Sequence, residues 1–489
     1  MQKILILILF IPLLIFSFSC TKNLSSLNND PKNPLTVPSG SLLVNGEKNF
    51  SDALNSTANG VGPFRVLTQS WTENTYVSEA RYILSAADAP SGWWNAFYSN
   101  TPGTAQTTSI LNSLNDAKIA AAKDVTDQDV LRNDLIITDI LEVYGYSILV
   151  NTYGNVPYVQ ALKDSIPFPA YDDAKTIYYD LLHRLDTAIA GLNPNAASWG
   201  SYDQIYGGDI GQWKKFAATL QLKLATVVAD VDPATYSKYV TSAVNTGVFT
   251  SNADNAIIQY QGSPTGNTNP AYQTFITRHD YSPANLIVNT LLAWNDPRLP
   301  LFYTQFQGQY TGGVPGAGNG YVKFSQFSPG WLDPLLPGDF LDYSETEFLL
   351  AEAVERGIIV GGTAEDHYDK AITASILFWG GSATDAATYL TQPGVSYSTA
   401  AGDWKQKIGY QQWIAFANQG WDAWTSIRRL GYPDIDNINP PVGANGNLPR
   451  RFYYPNNEET SNSVNWAKAV QAVSGGTTDD VSTNLWWEK

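Results

Sequence analysis

Residues 129–154 read DVLRNDLIITDILEVYGYSILVNTYG. Val130, Ile137, Leu141, Tyr144 and Ile148 fall on one face at helical spacing, with Ile136, Ile140 and Val143 beside them. An apolar arc that wide predicts a helix buried around most of its circumference. Downstream, 171–192 (YDDAKTIYYDLLHRLDTAIAGL) places Ile177, Leu181, Leu185 and Ile189 every four residues. Asp172 or Asp173 can cap that second helix, and Gly191 marks its end. The stretch between the two carries Gly154 and several prolines, and is too long for a simple hairpin.

The same two-helix pattern recurs. GQWKKFAATLQLKLATVVADV leads into DPATYSKYVTSAVNTG, LDYSETEFLLAEAVERG into TAEDHYDKAITASILFWGG, and WKQKIGYQQWIAFANQG into WDAWTSIRRLGYP. In the middle pair, Asp342, Glu345 and Glu347 sit at the helix start and Arg356-Gly357 at its end, which suits the helix dipole and a glycine stop. Small residues recur on the packing faces at Ala351, Ala353, Ala371, Ala374 and Ala415. The expected fold is mostly α. About four tetratricopeptide-like helix pairs, near 130–192, 211–247, 341–380 and 404–431, bury their faces by stacking. Between and around them lie loop-rich inserts near 88–108, 251–283, 304–340 and 431–457. Such loops stay ordered only against a scaffold, and long ordered loops tend to be functional.

The amino-terminal region has a different character. Lys3 precedes an apolar run from Ile4 to Phe18, which is short for a membrane span and broken by Pro12. The run ends at Cys20, the sole cysteine in 489 residues. A lone thiol in an exported protein has no internal disulfide partner, so a chemical use for it is expected. We read 1–19 as a lipoprotein signal and Cys20 as the acylated first residue of the mature chain. Several acyl chains at about 0.8 kcal/mol per buried methylene would hold it at a membrane. Ser17 departs from the leucine usual at that place in a lipobox. Residues 20–38, rich in Asn, Ser and Pro, read as a tether, and 39–489 as a single domain.

Composition narrows the function. Charged residues make up 15% of the chain, against about 25% typically, and the net charge is −16. Nucleic acid is disfavoured, because phosphate binding needs clustered Lys and Arg. A core absorbs many of the 15 Trp, 28 Tyr and 19 Phe, but so many Trp and Tyr beside so few charges suggest aromatic recognition surfaces as well.

A set of segments together carries a family resemblance: NNDPKNP, WTENTYVSEARY, WWNAFY, LVNTYGNVPY, GGDIGQWKKFAATLQLKLA, NDPRLPLFY, YSETEFLLAEAVERG, YQQWIAFANQGWDAWTSIRRLGYP and LPRRFYYPNNE. In order and spacing, from Cys20 to about Asn457, the chain resembles the SusD/RagB family of outer-membrane lipoproteins, in particular its SusD-like nutrient-binding branch. The resemblance implies a helical scaffold of four tetratricopeptide-like pairs under a loop-rich binding half. It also implies cell-surface anchoring and no enzymatic activity. It implies a role as hinged lid over a TonB-dependent (SusC-like) outer-membrane transporter, capturing oligosaccharides or, alternatively, oligopeptides.

Sugar rings offer an apolar C–H face and polar edges, so flat aromatic rings with Asn, Asp or Arg nearby are the chemistry to look for. Trp93 and Trp94 follow Pro90 and Gly92, with Asn95 and Tyr98 close in sequence. Trp331 sits in the turn SPGWLDP. These tryptophans are expected to line one groove, with Tyr281, Tyr310 and Phe327 as weaker candidates. Trp71 and Tyr76 read as core ahead of a helix, and Trp421 and Trp424 as scaffold packing around Arg428. No HExxH, GxSxG or GxxxxGK[ST] pattern occurs, and His183, His279 and His367 lack paired metal-ligand spacing. A surface glycoside hydrolase using two distant carboxylates is the alternative of another class. No cofactor is expected; loop oxygens, including those of Asp434 and Asp436, offer a structural calcium at most.

Overall fold

The computed structural model describes residues 37–57, 62–99, 109–262 and 267–489. Cys20, the signal and nearly all of the tether lie outside them. The described body is one unit, Ser39–Lys489.

The long helix read first from the sequence runs Gln128–Tyr153. In chain order we label α1 (Ser39–Asn55), β1 (Trp71–Glu73), α2 (Ala89–Tyr98), α3 (Ile110–Asp124), α4 (Gln128–Tyr153), β2 (Val156–Pro157), β3 (Tyr171–Asp172), α5 (Ala174–Gly191), α6 (Ile210–Val227) and α7 (Pro233–Thr246). There follow β4 (Ala256–Ile258), β5 (Tyr281–Pro283), α8 (Asn285–Ala293), β6 (Gly338–Leu341), α9 (Tyr343–Glu355), α10 (Ala364–Phe378), α11 (Trp404–Ala415) and α12 (Gly420–Leu430). The helices α4/α5, α6/α7, α9/α10 and α11/α12 pack as pairs, and α5 packs on α6 and α9 on α11, so the pairs stack. The mostly helical, tetratricopeptide-like scaffold is as the sequence implies.

Side-chain caps start nearly every scaffold helix. Asp127 accepts from the Asp129 and Val130 amides, Asp173 from Thr176, Asp209 from Gln212, Asp232 from Thr235 and Asp342 from Glu345. Thr363 and Asp366 form a reciprocal capping box. Each such cap is worth about 0.5–2 kcal/mol. Of the two caps open in the sequence for α5, Asp173 is used; Asp172 lies in β3.

α4 is long and apolar enough to cross a membrane, but 83% of that window is buried inside the protein, and it is the core helix. Its two mid-helix carboxylates are tied sideways. Lys118 of α3 reaches Glu142 at 2.5 Å, and Arg184 of α5 reaches Asp139 at 2.5 Å and Glu142 at 3.1 Å. Among the described residues there are three two-stranded antiparallel ribbons, β1–β5, β2–β3 and β4–β6; the first and last join segments far apart in sequence. Two of them fasten the inserts to the scaffold: β4–β6 pairs Ala256 with Leu341 just before α9, and β5 runs into α8.

One expectation is corrected here. The insert near 88–108 is helical over its first half: Pro90 stands in the first turn of α2, where its missing N–H costs nothing, and α2 continues through both tryptophans to Tyr98. Residues 100–108 lie outside the described part.

Candidate functional site

The expected groove of Trp93, Trp94 and Trp331 does not form. Trp93 packs edge-on against Phe64 and Phe97, and Trp94 against Tyr153 and Tyr98. Trp331 is wholly buried among Phe302, Trp379, Phe327, Tyr303 and Trp71. Phe327 and Tyr281 are buried beside it, with the Tyr281 hydroxyl donating to the Thr57 carbonyl at 2.6 Å. Tyr310 is half-buried against the same core. Asn95 is half-buried, and its side-chain oxygen lacks a hydrogen-bond partner among the described residues. The physical reason is volume. Gly and Pro around Trp331 fix the path of the backbone, not the exposure of the ring, and the largest apolar side chains fill the space beneath the loops. Trp94 and Tyr98 do reach a cleft of about 250 Å³, whose wall also carries Lys163, Asp164 and Glu458. The Tyr98 hydroxyl there is used, donating to the Pro157 carbonyl at 2.6 Å. Trp421 and Trp424 are scaffold, as read: the Arg428 guanidinium lies 3.5 Å over the Trp424 ring.

An aromatic surface with exposed Tyr76 and His279 and half-buried Tyr321 lies instead at the end of the β1–β5 ribbon. Glu73 faces Tyr281 in that ribbon, and Asn74 then clamps the departing loops. Its amide N–H donates to the Asp280 carbonyl at 2.6 Å, its side chain donates to the His279 carbonyl at 2.9 Å, and it accepts from the Ser282 hydroxyl at 2.9 Å. Two residues on, Tyr76 takes a left-handed backbone (φ 58°) and is 62% exposed. A non-glycine residue in that conformation costs on the order of 1–3 kcal/mol, retained where surroundings impose it. The Arg278 guanidinium, held by Asp280, lies 5.6 Å from the Tyr76 ring centroid. Next to it the His279 and Tyr321 rings sit 4.3 Å apart at 36°.

The glycine-rich insert that carries Tyr321 is fixed to this ribbon. Asn319 donates to the Glu73 carbonyl at 3.2 Å and accepts from the Val314 amide at 2.9 Å, while Arg81 donates to the Gly316 carbonyl at 2.8 Å. Gly316 has φ 76°, and a Cβ there would stand 2.3 Å from the Val442 carbonyl oxygen, so only glycine lets the inserts meet. Beneath the shelf, burial and the neighbouring Glu79 push the Glu73 carboxyl up to about 9. It is therefore neutral at physiological pH, and it accepts from the Ala80 amide at 3.0 Å. Flat rings, a guanidinium and loop amides around a neutral base can take the faces and edges of a neutral polyol. Tyr76 reads as core in the sequence because the approach of a helix was expected; a three-residue strand leaves it outside. Its polar setting, TENTYVSE, was the available signal.

The acidic side chains around Lys223 are buried as structure. Lys223 lies between Glu345 (2.9 Å) and Asp422 (2.5 Å), near Tyr144 and Trp421 rings. Burial raises the carboxyls of Glu345, Asp422, Asp339 and Asp342. The space at Lys223 is about 30 Å³, room for water and not for a sugar ring. Asp434 and Asp436 brace their insert: Asp434 accepts from the Asn437 side chain, and Asp436 from the Leu448 amide at 2.9 Å. Among the described residues no group of three or more His, Cys, Asp or Glu is placed to hold a metal ion.

Over residues 31–455 the chain matches the profile of a SusD-like family described as "Starch-binding associating with outer membrane". Solved structures similar to it include a chitin-binding protein (26% identity, TM-score 0.77, covering 92% of this chain and 99% of that one). A SusD homologue from Bacteroides fragilis is 23% identical (TM-score 0.76; 93% and 100% covered). A chitin-binding SusD homologue from Flavobacterium johnsoniae is 24% identical (TM-score 0.75; 92% and 98% covered). No curated protein matches the sequence.

Proposed function

The chain belongs to the SusD-like family, whose description places its members with the outer membrane, and from that premise we propose that it is a non-catalytic capture protein for neutral oligosaccharides at the cell surface. The cargo binds on the Tyr76, Arg278, His279 and Tyr321 shelf and passes to a TonB-dependent transporter, over which the protein acts as lid. Acylated Cys20 anchors the body to the outer membrane through the polar tether. The observation that supports this reading most directly is the shelf: its exposed aromatic faces lie among hydrogen-bonding groups fixed by three inserts. The names of two similar structures as chitin-binding, and the starch of the family description, supply the glycans to try first.

The test is calorimetry of the purified protein with chitin- and starch-derived oligosaccharides and, side by side, with oligopeptides. An aromatic contact is worth about 0.5–1.5 kcal/mol beyond its area, so Tyr76→Ala and Tyr321→Ala should each weaken glycan binding by roughly 2- to 13-fold. Glycan affinity unchanged in both variants would remove the shelf from the argument. Binding of peptides alone, or release of cleaved glycan by the pure protein, would overturn the proposed cargo or the non-catalytic role.

A further inference from the structure

α8 leaves the shelf ribbon and ends at a second feature. A cavity of about 390 Å³ opens between the end of α8, the loop after α10 and the face of α11. That volume falls in the range of about 300–1,000 Å³ found for small-molecule pockets. Two of its walls are the half-buried rings of Trp294 and Tyr410, whose centroids are 5.6 Å apart at 68°.

The polar groups of this cavity fall into two sets. One set is committed to the protein. Tyr368 donates its hydroxyl to the Val395 carbonyl at 2.8 Å, Gln411 is bonded to Arg298 and Tyr389, and Thr290 donates to the Leu286 carbonyl. These make a fixed floor. The other set is uncommitted: the Trp294 indole N–H, the Tyr410 hydroxyl and the side-chain amides of Asn289 and Gln406 meet no hydrogen-bond partner among the described residues. The one charged side chain on the wall, Lys407, is turned to the protein. Its ammonium donates to the Tyr397 carbonyl at 2.8 Å and lies 5.0 Å from that ring's centroid.

We infer that this cavity is a second ligand site, distinct from the shelf, that takes one or two rings of a neutral saccharide. An anion finds no free cation there, and a cation no carboxylate on the lining. A purely apolar ligand would offer no partner to the two amides, the hydroxyl and the indole N–H carried by lining residues, which is costly wherever it displaces their water. A pyranose ring satisfies both demands: its C–H face lies on one of the perpendicular rings, and its hydroxyls reach the uncommitted donors and acceptors. The inference does not rest on the shelf, since neither site shares a residue with the other.

The experiment titrates the full chain with N,N′-diacetylchitobiose, maltose and cellobiose, and with a dipeptide and a hexuronate as charged controls, by ligand-observed NMR and calorimetry. At least one neutral disaccharide should bind. Trp294→Ala should weaken it tenfold or more, and the milder pair Asn289→Ala and Gln406→Ala, on exposed or half-buried side chains, threefold or more with the thermal midpoint unchanged. Ile359→Ala, at a 93% exposed side chain that belongs to neither site, should leave that disaccharide's affinity as in the parent protein. No disaccharide binding, affinity insensitive to Trp294, Asn289 and Gln406, or preference for the charged controls would each overturn the assignment.

Discussion

Replacing Lys223 by methionine keeps an unbranched apolar stem and removes the ammonium that lies between Glu345 and Asp422 and near the Tyr144 and Trp421 rings. Breaking a buried pair by deleting one partner costs about 3–5 kcal/mol, because the remaining charge has no compensation. Here the remaining groups are carboxyls that burial already raises, so they escape the penalty by taking protons when the pH allows. The sign follows. Without the ammonium their folded-state values rise further, and each raised acid contributes least stability above its folded value and is without penalty below its unfolded value near 4. The deficit of the variant therefore grows from about pH 4 towards pH 8. For a body of about 450 residues, an unfolding entropy of about 2.1 cal/mol/K per residue gives roughly 0.9 kcal/mol/K, so 3–5 kcal/mol is a fall of about 3–5 °C in the thermal midpoint. Melting followed by circular dichroism should show that fall at pH 8 and less than about 1 °C at pH 4. An equal deficit at both pH values, or none at pH 8, would show that the ammonium does not hold this charge cluster.

Trp331→Ala empties a site enclosed by five aromatic rings and should cost about 3–5 kcal/mol, with glycan affinity of the folded fraction unchanged; a selective loss of affinity at an unaltered melting point would restore Trp331 to the binding surface. Glu73→Gln replaces a carboxyl held neutral up to about pH 9 by a neutral isostere. A raised acid stabilises fully below its unfolded value near 4.5 and progressively less as pH climbs to its folded value, so the variant should match the parent at pH 5 and exceed it at pH 8–9 in thermal midpoint. Cys20→Ser should move the protein from the membrane to the soluble fraction on cell fractionation; firm membrane retention would contradict anchoring at that sulfur.

The scaffold was legible because each of its signals is local. α4 shows its buried arc within 26 residues, and caps such as Asp127, Asp232 and Thr363 stand directly before their helices. The site was not legible, because exposure is decided by what arrives from elsewhere. Trp331 looks like an exposed turn residue until Trp71, Phe302 and Trp379, hundreds or tens of residues away, close over it. Tyr76 looks like core until the chain fails to continue as a helix. The shelf also needs Arg278 and Tyr321 brought beside it by the β1–β5 ribbon and by Asn319, and no spacing in the sequence announces those pairings.

The carboxylates at the middle of α4 have a meaning before the protein is folded. By length and mean hydropathy alone this segment is apolar enough to cross a membrane. An aspartate at the centre of such a segment disfavours lateral release into lipid by about 2.5–3.5 kcal/mol, and here Asp139 and Glu142 flank the midpoint. The residues that bind Lys118 and Arg184, and so lock three helices together, thus also make the same segment, before it folds, costly to lodge in lipid.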